Sequence, residues 1–291
     1  MAVVVIINPI AGGARRGAAR RRARAASAAL QAAGVQGDIF VTERRGHARE
    51  LAQRAIRVHP TMVIAWGGDG TVNEVGSALA ESDIPLGIVP AGSGNGLAAD
   101  LGVARRPAQA IAEALGAKPR VIDAGEINGR FFVSLAGVGF DAHIAACFNR
   151  DSIRRGPWNY ARITLREILS YESKRYRLDG KSNPRLAFLV TMVNTSQFGN
   201  GARIAPGARL DDGRLNLVVF EEVSRLSTVC ALPRLFTGGA HRVRGMETTL
   251  VERVTIESDA PMPFHVDGEP VSGGVRLEAS VRAAALRVCV R

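Results

Sequence analysis

Residues Met62-Val63-Ile64-Ala65-Trp66 run directly into Gly67-Gly68-Asp69-Gly70-Thr71-Val72-Asn73-Glu74, and this junction decides the fold. A short apolar run that stops at clustered glycines and continues as a helical stretch is a buried strand, a tight turn and a helix N-terminus. Glycines at such a place let the backbone approach a phosphate closely, and the N–H groups that open a helix bind anions. Asp69 would repel a phosphate unless a cation lay between them, so it implies Mg²⁺ or a proton-transfer role. A plain turn with Asp69 as helix cap is the alternative.

The same grammar extends on both sides. The run at 3–7 precedes a helical stretch at 14–33, that at 39–41 precedes 47–58, and that at 62–66 precedes 71–80; strands at 86–89 and 121–124 flank a helical stretch at 107–115. Strand–helix alternation requires parallel crossovers, hence a doubly wound sheet. A second glycine turn, Pro90-Ala91-Gly92-Ser93-Gly94-Asn95-Gly96-Leu97, follows the strand at 86–89. Two such turns at neighbouring strand ends would face one crevice and suit a polyphosphate. Asn8-Pro9-Ile10-Ala11-Gly12-Gly13 is a third strand-to-helix turn of this kind.

After Glu126 the pattern changes to runs joined by turns, at 130–135, 186–193, 215–220, 251–257 and 264–266, with helical interruptions at 160–169 and 224–236. This predicts an antiparallel, sandwich-like second domain. The expected organisation is an α/β nucleotide-binding domain at 1–125 and a β-rich domain at 126–291, with the last strand, 284–290, able to return to the first.

Composition narrows the class. Hydrophobic residues at 46% and charged residues at 22% are ordinary globular values, which argues against a membrane-embedded bundle or extended disorder. The opening residues 1–7 are apolar but too short to span a bilayer and run into Asn8-Pro9, so they read as a strand. Cys147, Cys230 and Cys289 lack CxxC or Cys/His ligand spacing, which fits a reducing cytoplasm. His47, His59, His143, His241 and His265 read as surface or packing residues, none paired at ligand spacing. The net charge of +11 could attract phosphate-rich partners, yet all but three of the 38 basic residues are arginine, which points in part to coding bias. Gly180-Lys181-Ser182 is no Walker A loop, because Arg175 stands where the upstream glycine is required. Ser93 is no nucleophile elbow, because Ala91 and Asn95 replace its flanking glycines.

Taken together, the Asn8-Pro9 opening, Thr42 before Gly46-His47-Ala48, residues 67–74 and 92–97, Gly137-Val138-Gly139-Phe140-Asp141-Ala142, Gly199-Asn200-Gly201, residues 206–213 and Asp267-Gly268-Glu269-Pro270 resemble the diacylglycerol kinase catalytic-domain family. The likeness is to its bacterial lipid-kinase branch, related to sphingosine kinases, and covers nearly the whole chain. It implies an NAD kinase-like α/β domain, a C-terminal β-sandwich domain, and ATP held between the two. By matching positions, Asn8, Thr42, Gly67, Gly68, Asp69, Gly70, Thr71, Val72, Asn73 and Ser93 would touch nucleotide. It also implies Mg²⁺ near Asp212, with Arg209 and Arg214 offering backbone carbonyls, although Asp211-Asp212-Gly213 is equally a hairpin turn.

In Asp267-Gly268-Glu269 two carboxylates flank a glycine. An isolated DGE is usually a solvated turn, but a kinase that phosphorylates an alcohol gains from a base that accepts the hydroxyl proton. The resemblance makes Asp267, Glu269 and Asp69 the catalytic candidates, without choosing between the first two. The expected reaction is ATP-dependent phosphorylation of a membrane lipid, diacylglycerol to phosphatidic acid. A sphingosine-type acceptor, an NAD kinase and an idle nucleotide-binding module are the alternatives. The AGSGNGL spelling of the second turn is closer to sphingosine kinases and leaves the acceptor open.

A lipid acceptor implies contact with the membrane surface. Arg15, Arg16, Arg20, Arg21, Arg22 and Arg24 cluster on the first helix, and 150–177 mixes basic residues with Trp158, Tyr160, Tyr171 and Tyr176. Basic plus amphipathic aromatic residues suit an interface, against the plainer reading of a solvated face. The expected partners are the lipid substrate and the inner membrane surface, approached from the cytoplasm. Nucleic acid is not expected as a partner, and a homodimer is a possible assembly.

Overall fold

The computed structural model describes residues 2–13, 16–80, 82–150, 157–197, 201–221 and 224–290. The chain forms two compact units, one made of Met1–Ile122 with Ala284–Arg291, the other of Asp123–Ala283.

In unit 1 the apolar runs at 3–7, 62–66 and 86–89 make strands buried on both faces, whereas the strand at 36–41 is largely exposed. The elements are β1 (Ala2–Ile7), α1 (Ala18–Ala32), β2 (Gln36–Val41), α2 (His47–Ile56), β3 (Met62–Gly67), α3 (Asp69–Leu79), β4 (Leu86–Pro90), the short α4 (Gly96–Asp100) and α5 (Pro107–Gly116). Strands pair in parallel as β2-β1-β3-β4. Pro107 opens α5 at its first turn, where its missing N–H costs nothing. The core joins Val3, Val5 and Ile7 to Ile64, Trp66, Leu30 and Ile111.

Unit 2 contains most of β5 (Pro119–Ile127), then β6 (Arg130–Phe132), β7 (Leu135–Gly139), α6 (Phe140–Arg150), α7 (Pro157–Ser170), β8 (Lys174–Leu178), β9 (Arg185–Val193), β10 (Leu215–Glu221), α8 (Arg225–Phe236), β11 (Met246–Val251), β12 (Arg253–Glu257), β13 (Phe264–Val266), β14 (Glu269–Val271) and the start of β15 (Arg276–Cys289). One antiparallel sheet runs β14-β13-β7-β9-β10-β11. Its two faces are both apolar: Leu215, Leu217 and Val219 of β10 point into a core shared with Tyr176, Val254, Ile256 and Leu277, whereas Val218 and Phe220 pack under helices with Ile144, Ile163 and Ile168. The period of two therefore feeds two cores from one strand.

Two expectations needed revision. The run at 251–257 is not one strand: β11 pairs with β10, whereas β12 pairs with β8 and β15. A chain passing between the layers of a sandwich must give up its first ladder before joining the second. Helix α6 was absent from the sequence reading, although Phe140, Ile144, Cys147 and Phe148 follow helical spacing. The last strand does return: Val288 and Cys289 pair in parallel with Leu86 and Gly87 of β4.

Candidate active site

Three loops of unit 1 converge on the first turn of α3. Gly67 and Pro90 are register partners at the ends of parallel β3 and β4, so the two glycine turns leave the sheet side by side. They touch: a Cβ on Gly92 would lie 2.6 Å from the Gly68 Cα, closer than any side chain tolerates. Asp69 then ties them, accepting the Asn95 N–H at 2.8 Å and the Gly96 N–H at 2.7 Å. Asn95, left-handed at φ 55, closes its own turn by exchanging 2.8 Å bonds with the Gly92 N–H and carbonyl. Burial pushes the Asp69 carboxyl upward, while the backbone N–H groups pull it down.

The remaining loops attach to the same helix. Asn8 Nδ2 donates to Thr71 Oγ1 at 2.9 Å, and the Asn8 N–H donates to the Trp66 carbonyl at 2.9 Å. Arg22 of α1 donates to the carbonyls of Asn8 and Ala11. Glu74 accepts the N–H groups of Gly46 and Ala48 at 2.8 and 3.0 Å, which completes the start of α2. Thr42 is buried, its N–H donating to the Ile7 carbonyl at 2.8 Å. The structure thus gathers Asn8, Thr42 and residues 67–73 around the opening of α3, with Ser93 on the adjoining turn. Val72 is a core side chain, so only its backbone can meet a ligand. The clasps made by Arg22 and Glu74 were not foreseen, since an arginine-rich helix does not show which arginine reaches the Asn8 loop.

In unit 2 the DGE element is a two-residue hairpin turn. Asp267 and Gly268 have φ 46 and 81, between paired Val266 and Glu269, the left-handed pair of a type I′ turn. The Asp267 carboxylate accepts three backbone N–H groups, from Val133, Ser134 and Leu135, each at 2.9 Å. Glu269 instead stands half-buried on β14. The two acids are therefore unlike: Asp267 accepts backbone N–H groups, and Glu269 lies on the strand that follows the turn.

His265 lies under this turn. It is buried, its Nδ1 accepts the Gly268 N–H at 3.3 Å, and its Nε2 is 3.1 Å from Asp141 Oδ2. His265 is a buried packing residue as expected, whereas the expectation that no histidine is paired at ligand spacing is corrected at His143, which lies four residues before Cys147 on α6 and 2.8 Å from Glu167. The sequence hid the partners of both, which are distant or lie on the missed helix.

The loop at 209–214 is pinned separately. Asp212 Oδ1 accepts the Arg214 N–H at 3.0 Å, and buried Asp123 accepts the Gly213 N–H at 2.7 Å. The Arg209 guanidinium turns toward Asp211, at 3.5 Å. Fully buried Asn194 donates from Nδ2 to the carbonyls of Asp123 and Val133, both at 2.9 Å. The 209–214 loop and the DGE turn are thus anchored to neighbouring points of one buried polar spine, which no local sequence pattern marks. Carboxylate and carbonyl oxygens at 209, 212 and 214 are a hard donor set, compatible with Mg²⁺.

A parallel sheet with glycine turns at its strand ends, joined in one chain to a β-sandwich bearing an acid hairpin, defines a nucleotide-dependent phosphotransferase architecture. Residues 2–127 match the diacylglycerol kinase catalytic domain, and residues 134–290 match the YegS C-terminal NAD kinase beta sandwich-like domain. A "Probable lipid kinase YegS-like" protein of Chromohalobacter salexigens is 33% identical over 240 residues, covering 80% of this chain and 77% of the relative. A diacylglycerol kinase of Mycobacterium tuberculosis is 30% identical over 295 residues, covering 98% and 94%. A crystal structure of a diacylglycerol kinase from Bacillus anthracis superposes with TM-score 0.72 at 20% identity, covering 99% of this chain and 96% of that one; it shows the shared fold. The chain belongs to the diacylglycerol kinase catalytic-domain family and is a lipid kinase.

Proposed function

We propose that the protein transfers the γ-phosphoryl group of ATP, with Mg²⁺, to the hydroxyl of diacylglycerol, giving phosphatidic acid. The observation that carries the nucleotide part is the locked pair of glycine turns at the opening of α3, where Gly68 and Gly92 approach too closely for side chains, and a helix N-terminus is a place that favours anions. Asn8, Thr42, residues 67–73 and Ser93 contact the nucleotide, and Asp69 keeps the two turns in register. Diacylglycerol as acceptor rests on the relative of that name aligned over nearly the whole chain.

Glu269 is the general base. It accepts the acceptor hydroxyl proton as the new O–P bond forms and ADP departs, while Asp267, committed to three N–H groups, fixes the turn. Asp212 and the carbonyls of Arg209 and Arg214 would hold Mg²⁺, which would supply positive charge to offset that of the phosphates.

The protein works from the cytoplasm at the inner membrane surface. No described helix is long and apolar enough to cross a membrane. On α7, Leu165 and Leu169 are exposed one turn apart, beside Arg162 and Arg166, a pairing suited to an anionic interface. Arg154 and Arg155 lie outside the described residues, as do the side chains of Trp158 and Tyr160 and the residues Arg15, Gly199 and Asn200.

The test is incubation with labelled ATP, Mg²⁺ and a panel of diacylglycerol, sphingosine, phosphatidylglycerol and NAD. Label in phosphatidic acid is expected. Label on sphingosine or phosphatidylglycerol alone would move the acceptor, and label on NAD alone would overturn the lipid reading.

A further inference from the structure

Helices α6 and α7 bring together a nitrogen, a sulfur and an oxygen donor far in sequence from the glycine turns. His143 and Cys147 share one face of α6, four residues apart. His143 Nε2 is 2.8 Å from Glu167 Oε2 on α7, and Cys147 Sγ is 3.6 Å from the same nitrogen. All three donor atoms lie within 4.8 Å of one another, near enough to converge on one ion about 2.0–2.3 Å from each once the hydrogen-bonded His143–Glu167 pair opens slightly.

The surroundings suit a bound ion. Glu167 is nearly buried, and its other oxygen, Oε1, is held by Arg166 Nε and Nη2 at 3.0 and 2.8 Å, so Oε2 is aimed by a partner on the far side of the carboxylate. The His143 ring lies 5.3 Å from that of Tyr171 and 6.5 Å from that of Phe140, which places an apolar wall behind the donors. A simple His–Glu ion pair would explain two of the three groups. It does not explain a thiol delivered to the same nitrogen from one helical turn away.

We infer that His143, Cys147 and Glu167 form a transition-metal site of the zinc type, with water in the fourth position, that clamps α6 to α7. A mixed nitrogen, sulfur and oxygen set is borderline-soft, which suits Zn²⁺ and rejects Mg²⁺, a cation that takes oxygen ligands. Binding requires the Cys147 thiolate and a neutral His143, so the thiol proton passes to solvent. The site is independent of the ATP and lipid reading.

Cobalt(II) is the probe. The full-length protein, stripped with chelator, is titrated with Co²⁺ and followed by absorption spectroscopy. Expected is a stoichiometric rise of intense visible d–d bands, reporting a tetrahedral site, with a near-ultraviolet sulfur-to-cobalt charge-transfer band; Zn²⁺ should abolish both and excess Mg²⁺ should leave them unchanged. Cys147→Ser should lose the charge-transfer band while Cys289→Ser keeps it. Glu167→Gln and His143→Ala should weaken Co²⁺ binding by more than the roughly 10- to 100-fold typical of an outer-shell loss. Circular dichroism establishes that each variant is folded. Absence of the bands in the parent, their persistence in folded Cys147→Ser, or displacement by Mg²⁺ would overturn the site.

Discussion

Two turns of this molecule use the same device to different ends. At residues 67–71 and at 266–269 a glycine-bearing turn carries an aspartate whose carboxylate accepts backbone N–H groups from another segment. Asp69 reaches a partner turn 26 residues ahead, in the next strand–helix unit, whereas Asp267 reaches back 132–134 residues. The first turn uses its acid to hold two loops together. The second spends Asp267 in the same way but then delivers another acid, Glu269, on the strand that follows. An aspartate in a glycine-bearing motif is thus not by itself a catalytic group, because its oxygens can be committed to backbone N–H groups.

The largest effect should come from separating the two acids of the DGE turn. Glu269→Gln should lower kcat by roughly 10²- to 10⁴-fold with ATP affinity nearly unchanged and parental thermal stability, as expected of a lost general base. Asp267→Asn should instead lower Tm, because an amide has one acceptor oxygen where three N–H groups now find two. If Asp267→Asn keeps parental Tm but loses turnover, the roles are exchanged.

The contrast in legibility follows from the same geometry. Residues 62–74 announce a strand, turn and helix because the relevant partners are local, and the parallel sheet follows from repetition of that unit. The DGE turn was visible as a turn, but nothing adjacent in sequence marks His265, Asn194 or residues 133–135 as its supports. Such supports are buried polar groups whose identity is set by what lies across the sandwich. Helix α6 was missed for another reason: Gly137 to Ala142 drew the reading as a motif, and the helical period that begins at Phe140 went unused. His143 and Cys147 went unread with it.

Next in size is the contact between the glycine turns. Gly92→Ala would place a Cβ 2.6 Å from the Gly68 Cα and 2.9 Å from Asn95 Oδ1, so the turns must part. ATP affinity, measured calorimetrically, should fall at least tenfold, about 1.4 kcal/mol. Unchanged affinity in a folded variant would show that this junction does not cradle phosphate.

A smaller effect tests which influence wins at Asp69. Burial raises its pKa and the Asn95 and Gly96 N–H bonds lower it, with burial the larger. A raised folded-state pKa means that the folded protein prefers the neutral acid. The cost is therefore absent below the ordinary value of 3.8, grows as pH rises from there to the folded-state pKa, and stays constant above it. The Tm advantage of the parent over Asp69→Asn should accordingly shrink with rising pH. An advantage that widens would mean that the backbone bonds outweigh burial.

The smallest effect should come from Gly268→Ala. Gly268 sits at φ 81, and an added Cβ would meet no atom within 4 Å, so the only native-state penalty is that of an L-residue in left-handed backbone, roughly 1–2 kcal/mol. Alanine also restricts the unfolded chain, which returns about 0.4–1 kcal/mol. The net loss is then about 1 kcal/mol, a fall in Tm of about 2–4 °C for a domain of this size, with kcat changed little because Glu269 still follows on β14. Gly92→Ala, the same chemical change, should lose far more ATP affinity, since there the obstacle is a neighbouring backbone and not the dihedral angle. If Gly268→Ala matches Gly92→Ala in lost activity while Tm barely moves, the Gly268 backbone itself faces a substrate, and the DGE turn is a binding loop as well as a mount for Glu269.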